Sequence, residues 1–170
     1  MHEPHRNLPA GPGERRRRVL RELVSTNPDL VHARGGDGQT PLHFASTVEI
    51  AEFLLDRGAD IDALDVDHES TPAQYMIRDR QDVVRCLVRR GCKTDIFMAS
   101  ALGDADLVRK HLDVDPDCVQ MRVSGESFPM INRRSGGTIY QWTLGGAELH
   151  SHALWIGGEL GFEANEHSHP

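Results

Sequence analysis

Apolar residues recur along this chain in short blocks at helical spacing, and each block ends at a glycine or a polar turn. Ile50, Phe53 and Leu54 share one helical face, and Gly58 follows as a left-handed stop. Ahead of them stands Thr40-Pro41-Leu42-His43-Phe44-Ala45. There Thr40 is a natural N-cap and Pro41 sits at the first helical position, where its missing N–H costs nothing. Leu42 and Ala45 point to one side of this leading helix. The pattern over Asp37 to Asp60 therefore predicts two short helices joined by a turn. Such a unit cannot bury its apolar face alone, so it needs neighbours built like itself.

The neighbours are present. Thr71-Pro72-Ala73-Gln74 repeats Thr40-Pro41-Leu42-His43 at an offset of 31 residues, and Asp82 to Gly91 repeats Glu49 to Gly58. Asp106 to Leu112 repeats the second helix again, with Thr94-Asp95-Ile96-Phe97-Met98-Ala99 in the leading slot. Upstream, Val19, Leu20, Leu23 and Val24 form a second helix without a first. The run Asn27-Pro28-Asp29-Leu30-Val31 is matched by Asp115-Pro116-Asp117-Cys118-Val119, and Gly137-Thr138-Ile139-Tyr140-Gln141-Trp142 is a fifth opening.

These residues resemble the ankyrin repeat, whose signature is Gly-x-Thr-Pro-Leu-His-x-Ala-Ala followed by Gly-Ala-Asp-x-Asn/Asp-Ala. The match is closest over 38–64, continues through 70–91 and 94–119, and extends to incomplete units at 15–34 and 136–156. The resemblance implies an all-α solenoid of stacked helix–turn–helix units joined by finger loops, used to bind another protein without chemistry of its own. It also implies a structural His43, with a ring that links neighbouring units through loop backbone; Gln74 and Gln141 fill the matching slots. The expected organisation is a disordered leader over 1–13, a repeat domain of about four units over 14–144, and an atypical cap or tail over 145–170.

The loops vary where the helices do not. Asn27 to Thr40 and Gly58 to Thr71 are each 13 residues apart. Gly91 to Thr94 is only 3, so the third finger is deleted, while Asp115 to Thr138 is 23, so the fourth carries an insertion over 120–137. The distance from the leading threonine to the acidic start of the second helix also drifts, from 9 to 11 to 12, which makes the first leading helix short. Stability carried by the stack and recognition carried by the loops would produce this pattern.

Composition narrows the function classes. Apolar residues are 38% of the 170, and aromatics 5%, thin for an enzyme core but ordinary for a one-dimensional stack. A net charge of −7 disfavours nucleic acid and anionic membrane as partners. Arg15 to Arg18 read as the solvated face of the first helix. No run reaches the length of a membrane span, and the start has no apolar signal segment. Cys86, Cys92 and Cys118 are an odd, widely spaced set that suits a reducing cytoplasm. No phosphate-binding glycine loop or nucleophile motif is present, so no catalytic residue and no cofactor is expected. The alternative from another class is a small metal-binding protein or metalloenzyme built on His150 and His152. Residues two apart on a helix do not face each other, which argues against a shared ion there.

The binding surface follows from the resemblance and from the insertion. In this family finger tips and first helices make the concave face, which maps here to Arg34, Asp37, Asp65, Asp67 and His68 with Tyr75 and Arg78. The insertion adds Arg122, Phe128, Arg133 and Arg134, a mixture of aromatic and arginine side chains that interfaces favour. Phe128 could instead plug the edge of the stack. Asp60, Asp62, Asp65 and Asp67 lie close together and suggest a basic partner segment. The expectation is a monomeric cytoplasmic adaptor for another protein.

Overall fold

A computed structural model describes residues 11–143. Among these residues seven α-helices and three 3-10 turns follow one another. Helix α1 (Pro12–Thr26) leads into a 3-10 turn at Pro28–His32, and a second turn at Pro41–Phe44 precedes α2 (Val48–Leu55). Then come α3 (Pro72–Met76) with α4 (Gln81–Arg89), and α5 (Ile96–Ala101) with α6 (Ala105–Val114). A third turn, Pro116–Gln120, is followed by the insertion and by α7 (Ile139–Thr143). The partners α3 and α4, and α5 and α6, pack on each other, and α2 packs on α4 in the next unit. The arrangement is the expected stack. Helix α1 begins at Pro12, inside the range expected to be a leader; residues 1–10 of that range lie outside the described residues.

Local chemistry explains these boundaries. Thr71 accepts the Gln74 N–H at 3.2 Å and donates its own N–H to Gln74 Oε1 at 3.0 Å, a reciprocal box that opens α3. The first leading helix is so short that it closes as a single 3-10 turn. Asn27 and Asp115 have nearly the same backbone angles, and each side chain accepts the N–H two residues on. The sequence match between these two segments is therefore a match of structure. Gly58 has φ +87° where α2 stops.

One register differs from expectation. The cap of α5 is Asp95, whose Oδ1 accepts the Met98 N–H at 2.8 Å, and not Thr94. Asp caps a helix at least as well as Thr, and it is the alignment with the other threonine openings that points to Thr94. The Thr94 hydroxyl is taken instead by His111 Nε2 at 3.0 Å.

The core runs as one cluster through the stack, from Val24 and Val31 through Leu42, Leu54, Ile77 and Leu87 to Phe97 and Tyr140. All three cysteines are unpaired and buried. Burial, with Asp62 and Asp95 nearby, pushes the Cys92 thiol up to about 12. A group with so little thiolate at pH 8 should alkylate with iodoacetamide about a thousandfold more slowly than an ordinary thiol, and recover normal reactivity in urea. Peptide mapping after timed labelling checks this; fast native labelling of Cys92 would contradict it.

Candidate interaction face

Two fingers are built as expected and lie side by side. The first closes through Gly35 N–H to the Gln39 carbonyl at 2.9 Å, the second through Asp65 N–H to the Ser70 carbonyl at 3.1 Å. Val66 N–H donates across to the Asp37 carbonyl at 2.7 Å. Gly38 makes this approach possible. Its φ is +80°, and a Cβ there would stand 2.6 Å from Val66 Cγ2 and 3.0 Å from the Val66 nitrogen. Arg34 braces the pair by donating from Nη1 to the Gly38 carbonyl at 2.8 Å and the Leu64 carbonyl at 2.7 Å.

The third finger is missing from its place in the chain, and the insertion fills that place from later in the sequence. Gly136 N–H donates to the Asp67 carbonyl at 2.6 Å, one residue along from the bond that joins the first two fingers. The Asn132 side-chain amide donates to the Val66 carbonyl at 3.2 Å, and Arg134 Nη2 reaches the Gly36 carbonyl at 3.4 Å. His68 Nδ1 lies 3.0 Å from the Gly137 carbonyl. That oxygen can only accept, which assigns the proton to Nδ1.

Glu69 holds this loop. Its carboxylate accepts the Ile131 N–H at 2.9 Å, the Asn132 N–H at 2.5 Å and the Asn132 amide at 2.6 Å. Its backbone is left-handed, with φ +50°, a conformation a non-glycine residue keeps only when its surroundings impose it. Glu69→Ala should destabilise the domain by about 1–2 kcal/mol. Amide exchange at Ile131 and Asn132 should accelerate far more than exchange in α4. Unchanged protection at those two amides would show that the loop is held by something else.

Beneath the loop, α7 completes the row of first helices. It packs on α3, which also packs on the turn Pro41–Phe44. Tyr140 is fully buried, donates its hydroxyl to Asp95 Oδ2 at 2.7 Å, and meets Phe97 and Phe128 with ring centroids 5.5 and 5.4 Å away. Asp95 Oδ2 also receives the Gln74 amide at 3.1 Å, so one carboxylate joins α3, α5 and α7. Burial, and then the Asp95 charge, push the Tyr140 phenol well above its ordinary value, so it stays a donor. His43 does the equivalent work one unit earlier. Its Nδ1 accepts the Thr40 N–H at 3.1 Å, and its Nε2–H points at the Ser70 carbonyl at 3.2 Å. The link to loop backbone implied by the resemblance is present.

The residues expected to contact a partner fall into three groups. Arg78, Arg122, Arg133 and Arg134 are exposed, as is Arg34 despite its bracing bonds. Asp37, Asp67 and His68 are half-buried in the finger row. Tyr75 is half-buried too, edge-on to Phe44 at 6.1 Å and to His43 at 5.9 Å. One expectation is corrected, and of the two readings of Phe128 one is met. Asp65 is buried, accepting the His68 N–H at 2.8 Å, the Ser70 N–H at 3.3 Å and the Ser70 hydroxyl at 2.7 Å, so it shapes the finger and does not project. Phe128 is the plug, half-buried against Phe97 and Tyr140. Asp65 therefore leaves the acidic group expected over Asp60, Asp62, Asp65 and Asp67. Asp60 Oδ1 caps the Asp62 N–H at 3.0 Å, and Asp62 Oδ1 accepts the Lys93 N–H at 2.8 Å.

Sequence reasoning missed Phe44, Leu64, Glu69 and Trp142. Three aromatics had a signal: Phe44, Tyr75 and Trp142 each stand four residues after the threonine of their opening motif. Phe44 and Trp142 are exposed on the first-helix row, and Trp142 lies 5.9 Å from the His68 ring. In α5 the position four after the Asp95 cap is the buried Ala99. The aromatic series thus skips α5 and resumes on α7. Between the second finger and the insertion lies a cleft of about 220 Å³, lined by Leu64, His68, Glu69, Phe128, Met130 and Ile131 among others.

Among the described residues no group of three or more His, Cys, Asp or Glu could hold a metal ion, and no helix is long and apolar enough to cross a membrane. His150 and His152 lie outside the described residues, as does the cap expected over 145–170.

Comparison with known proteins agrees with this architecture. A family model described as ankyrin repeats (3 copies) matches residues 14–98. A 50-residue stretch, 28% of this chain, is 45% identical to the serine/threonine-protein kinase VIK of Arabidopsis thaliana and covers 11% of that protein. Over 123 residues, 70% of the chain, it is 25% identical to the ankyrin repeat and SAM domain-containing protein 6 of Rattus norvegicus, covering 14% of it. The Mus musculus protein of the same name is 26% identical over 110 residues, 62% of this chain and 12% of that one. The chain thus spans about an eighth of the length of the relatives it matches. Family match, stacked helix pairs and paired fingers together establish that this chain belongs to the ankyrin-repeat family.

Proposed function

We propose that this chain is a non-catalytic scaffold that binds a partner protein through its fingers, first helices and inserted loop. Ankyrin repeats are in general protein–protein interaction modules. The observation that carries the reading for this chain is the repaired finger row. A finger is lost between Gly91 and Thr94, and residues 131–136 restore its place through Glu69, Val66 and Asp67. A stack needs neighbouring helices for stability but does not need a long third finger. Restoring the row is understandable if the row is what the protein uses. Three buried free thiols fit a reducing compartment such as the cytoplasm, where the scaffold acts as a monomer.

The test is affinity capture from the host's soluble extract with three baits. These are the full chain, a Met130→Ser/Trp142→Ala variant on the proposed face, and a Lys110→Glu variant on α6. A specific partner held by the first and third baits and lost by the second is expected. Capture that ignores the face variant, or no specific capture by the full chain, would overturn the proposal.

A further inference from the structure

Two kinds of unpartnered group coincide on this face. Among the described residues eight large hydrophobic side chains are exposed, and five of them, Phe44, Leu64, Met130, Ile131 and Trp142, belong to the fingers, first helices and insertion. The others are Val19 and Leu23 on α1 and Val114 at the end of α6. Among the described residues, cations without a carboxylate partner occur on several elements, including Arg15, Arg16 and Arg21 on α1, Arg89 on α4 and Lys110 on α6, and one group of them borders the cleft. The ion pairs among the described residues join Arg17 to Glu49, Arg18 to Glu22, Arg90 to Asp56 and Arg109 to Asp106, all on α1, α2, α4 and α6 or their ends. None of Arg34, Arg78, Arg133 and Arg134 has a carboxylate partner among the described residues.

The carboxylates of the face are mostly committed. Glu69 is saturated by the loop, Asp65 is buried, and Asp37 and Asp67 are half-buried in the finger row. Asp60 in the second finger, Asp79 beside Arg78, and Glu126 on the insertion are exposed. Arg34 and Arg134 reach carbonyls of Gly38, Leu64 and Gly36, so cations without a carboxylate partner among the described residues border the uncovered apolar side chains of the cleft. The cleft beneath the loop, walled by Leu64 and His68 on one side and Met130 and Ile131 on the other, has room for one bulky side chain.

We propose that the face binds an extended acidic segment of a partner protein, with one aliphatic or aromatic side chain seated in this cleft and carboxylates meeting Arg34, Arg133 and Arg134. Phe44, Tyr75 and Trp142 give the rest of the segment a surface of uniform register to lie on. The proposal rests on the scaffold function above and names the chemistry of its partner. Buried apolar contact would supply the anchor, and the arginines would set partner choice and a salt-sensitive on-rate.

The experiment pans a random 16-residue peptide display library on the full-length protein, then measures enriched peptides by fluorescence anisotropy at low and high salt. Enrichment of peptides with several Asp or Glu around one Leu, Ile, Phe or Trp is expected. Their affinity should fall tenfold or more in Arg133→Glu/Arg134→Glu, about fivefold in Met130→Ser, and not at all in Lys110→Glu. Unchanged melting temperature in each variant separates lost contact from lost fold. Basic or uncharged consensus peptides, or acidic ones indifferent to the double reversal, would overturn the acidic assignment and leave the scaffold reading standing. Failure to enrich any peptide over an empty support would count against both. A synthetic peptide of residues 144–170 that binds in trans and is lost with the double reversal would make the occupant this chain's own segment. Concentration-dependent self-association abolished by the reversal would make it a second copy. Either result overturns the partner assignment.

Discussion

Tyr140→Ala will destabilise the domain by about 3–5 kcal/mol, the cost of removing a fully buried aromatic side chain from a close-packed site. The size follows from where the ring sits. It is buried on every side, between Phe97 of α5 and the Phe128 plug of the insertion. Its hydroxyl also ends the chain of bonds that runs from Gln74 through Asp95. Tyr140→Phe keeps the ring and loses only the hydroxyl, and Asp95 Oδ2 still receives Gln74, so it should cost about 1 kcal/mol. Urea denaturation gives both values, and amide exchange gives their location. In the alanine variant Gly136, which bonds to Asp67, should lose protection together with Ile131. A loss below about 1 kcal/mol for Tyr140→Ala would mean that α7 is an appendage and that the stack ends at α6.

That test matters because the insertion and α7 lie against the second finger and α3, elements from two units earlier in the chain. Both anomalies were legible in the sequence: 3 residues from Gly91 to Thr94, and 23 from Asp115 to Thr138. What spacing could not reveal is that the second compensates the first. The bond between Gly136 and Asp67 joins positions far apart in sequence, and no local propensity encodes it. The helix pairs, by contrast, were readable apart from the cap of α5, since Thr-Pro openings, apolar stripes and glycine stops are local signals.

The candidate face was legible in part, for a related reason. Arginines announce themselves by type, and Arg78 near the first helices and Arg133 and Arg134 on the insertion are exposed. Charged residues that build structure do not. Asp65 carries the same side chain as Asp67, and only the position of Ser70 and the His68 N–H turns it inward. Glu69 carries no local signal, because its work is done on backbone amides of Ile131 and Asn132. Register could have found Trp142, had Phe44 and Tyr75 first been seen as equivalent positions.

His43→Ala should cost about 3–4 kcal/mol, because it leaves the Thr40 N–H and the Ser70 carbonyl without their partner in a buried site and empties a fully buried ring. His43→Gln should cost less than half of that. Gln74 shows why: in the next unit its Oε1 accepts the Thr71 N–H at 3.0 Å while its amide donates onward to Asp95 at 3.1 Å. The two variants also separate by pH. Burial, the largest influence, lowers the His43 pKa below its ordinary 6.5, although the Ser70 carbonyl and Asp65 pull the other way. As pH falls below about 6.5 the unfolded chain takes up a proton that the folded ring resists, so the His43 contribution is present above that value and is lost toward the folded pKa. His43→Gln cannot titrate. The stability difference between wild type and His43→Gln should therefore shrink between pH 7.5 and pH 5.5, as read from denaturant midpoints. A difference that widens on acidification would mean that the ring is held as imidazolium, and that the unit-to-unit link is an ionic contact instead of a neutral hydrogen bond.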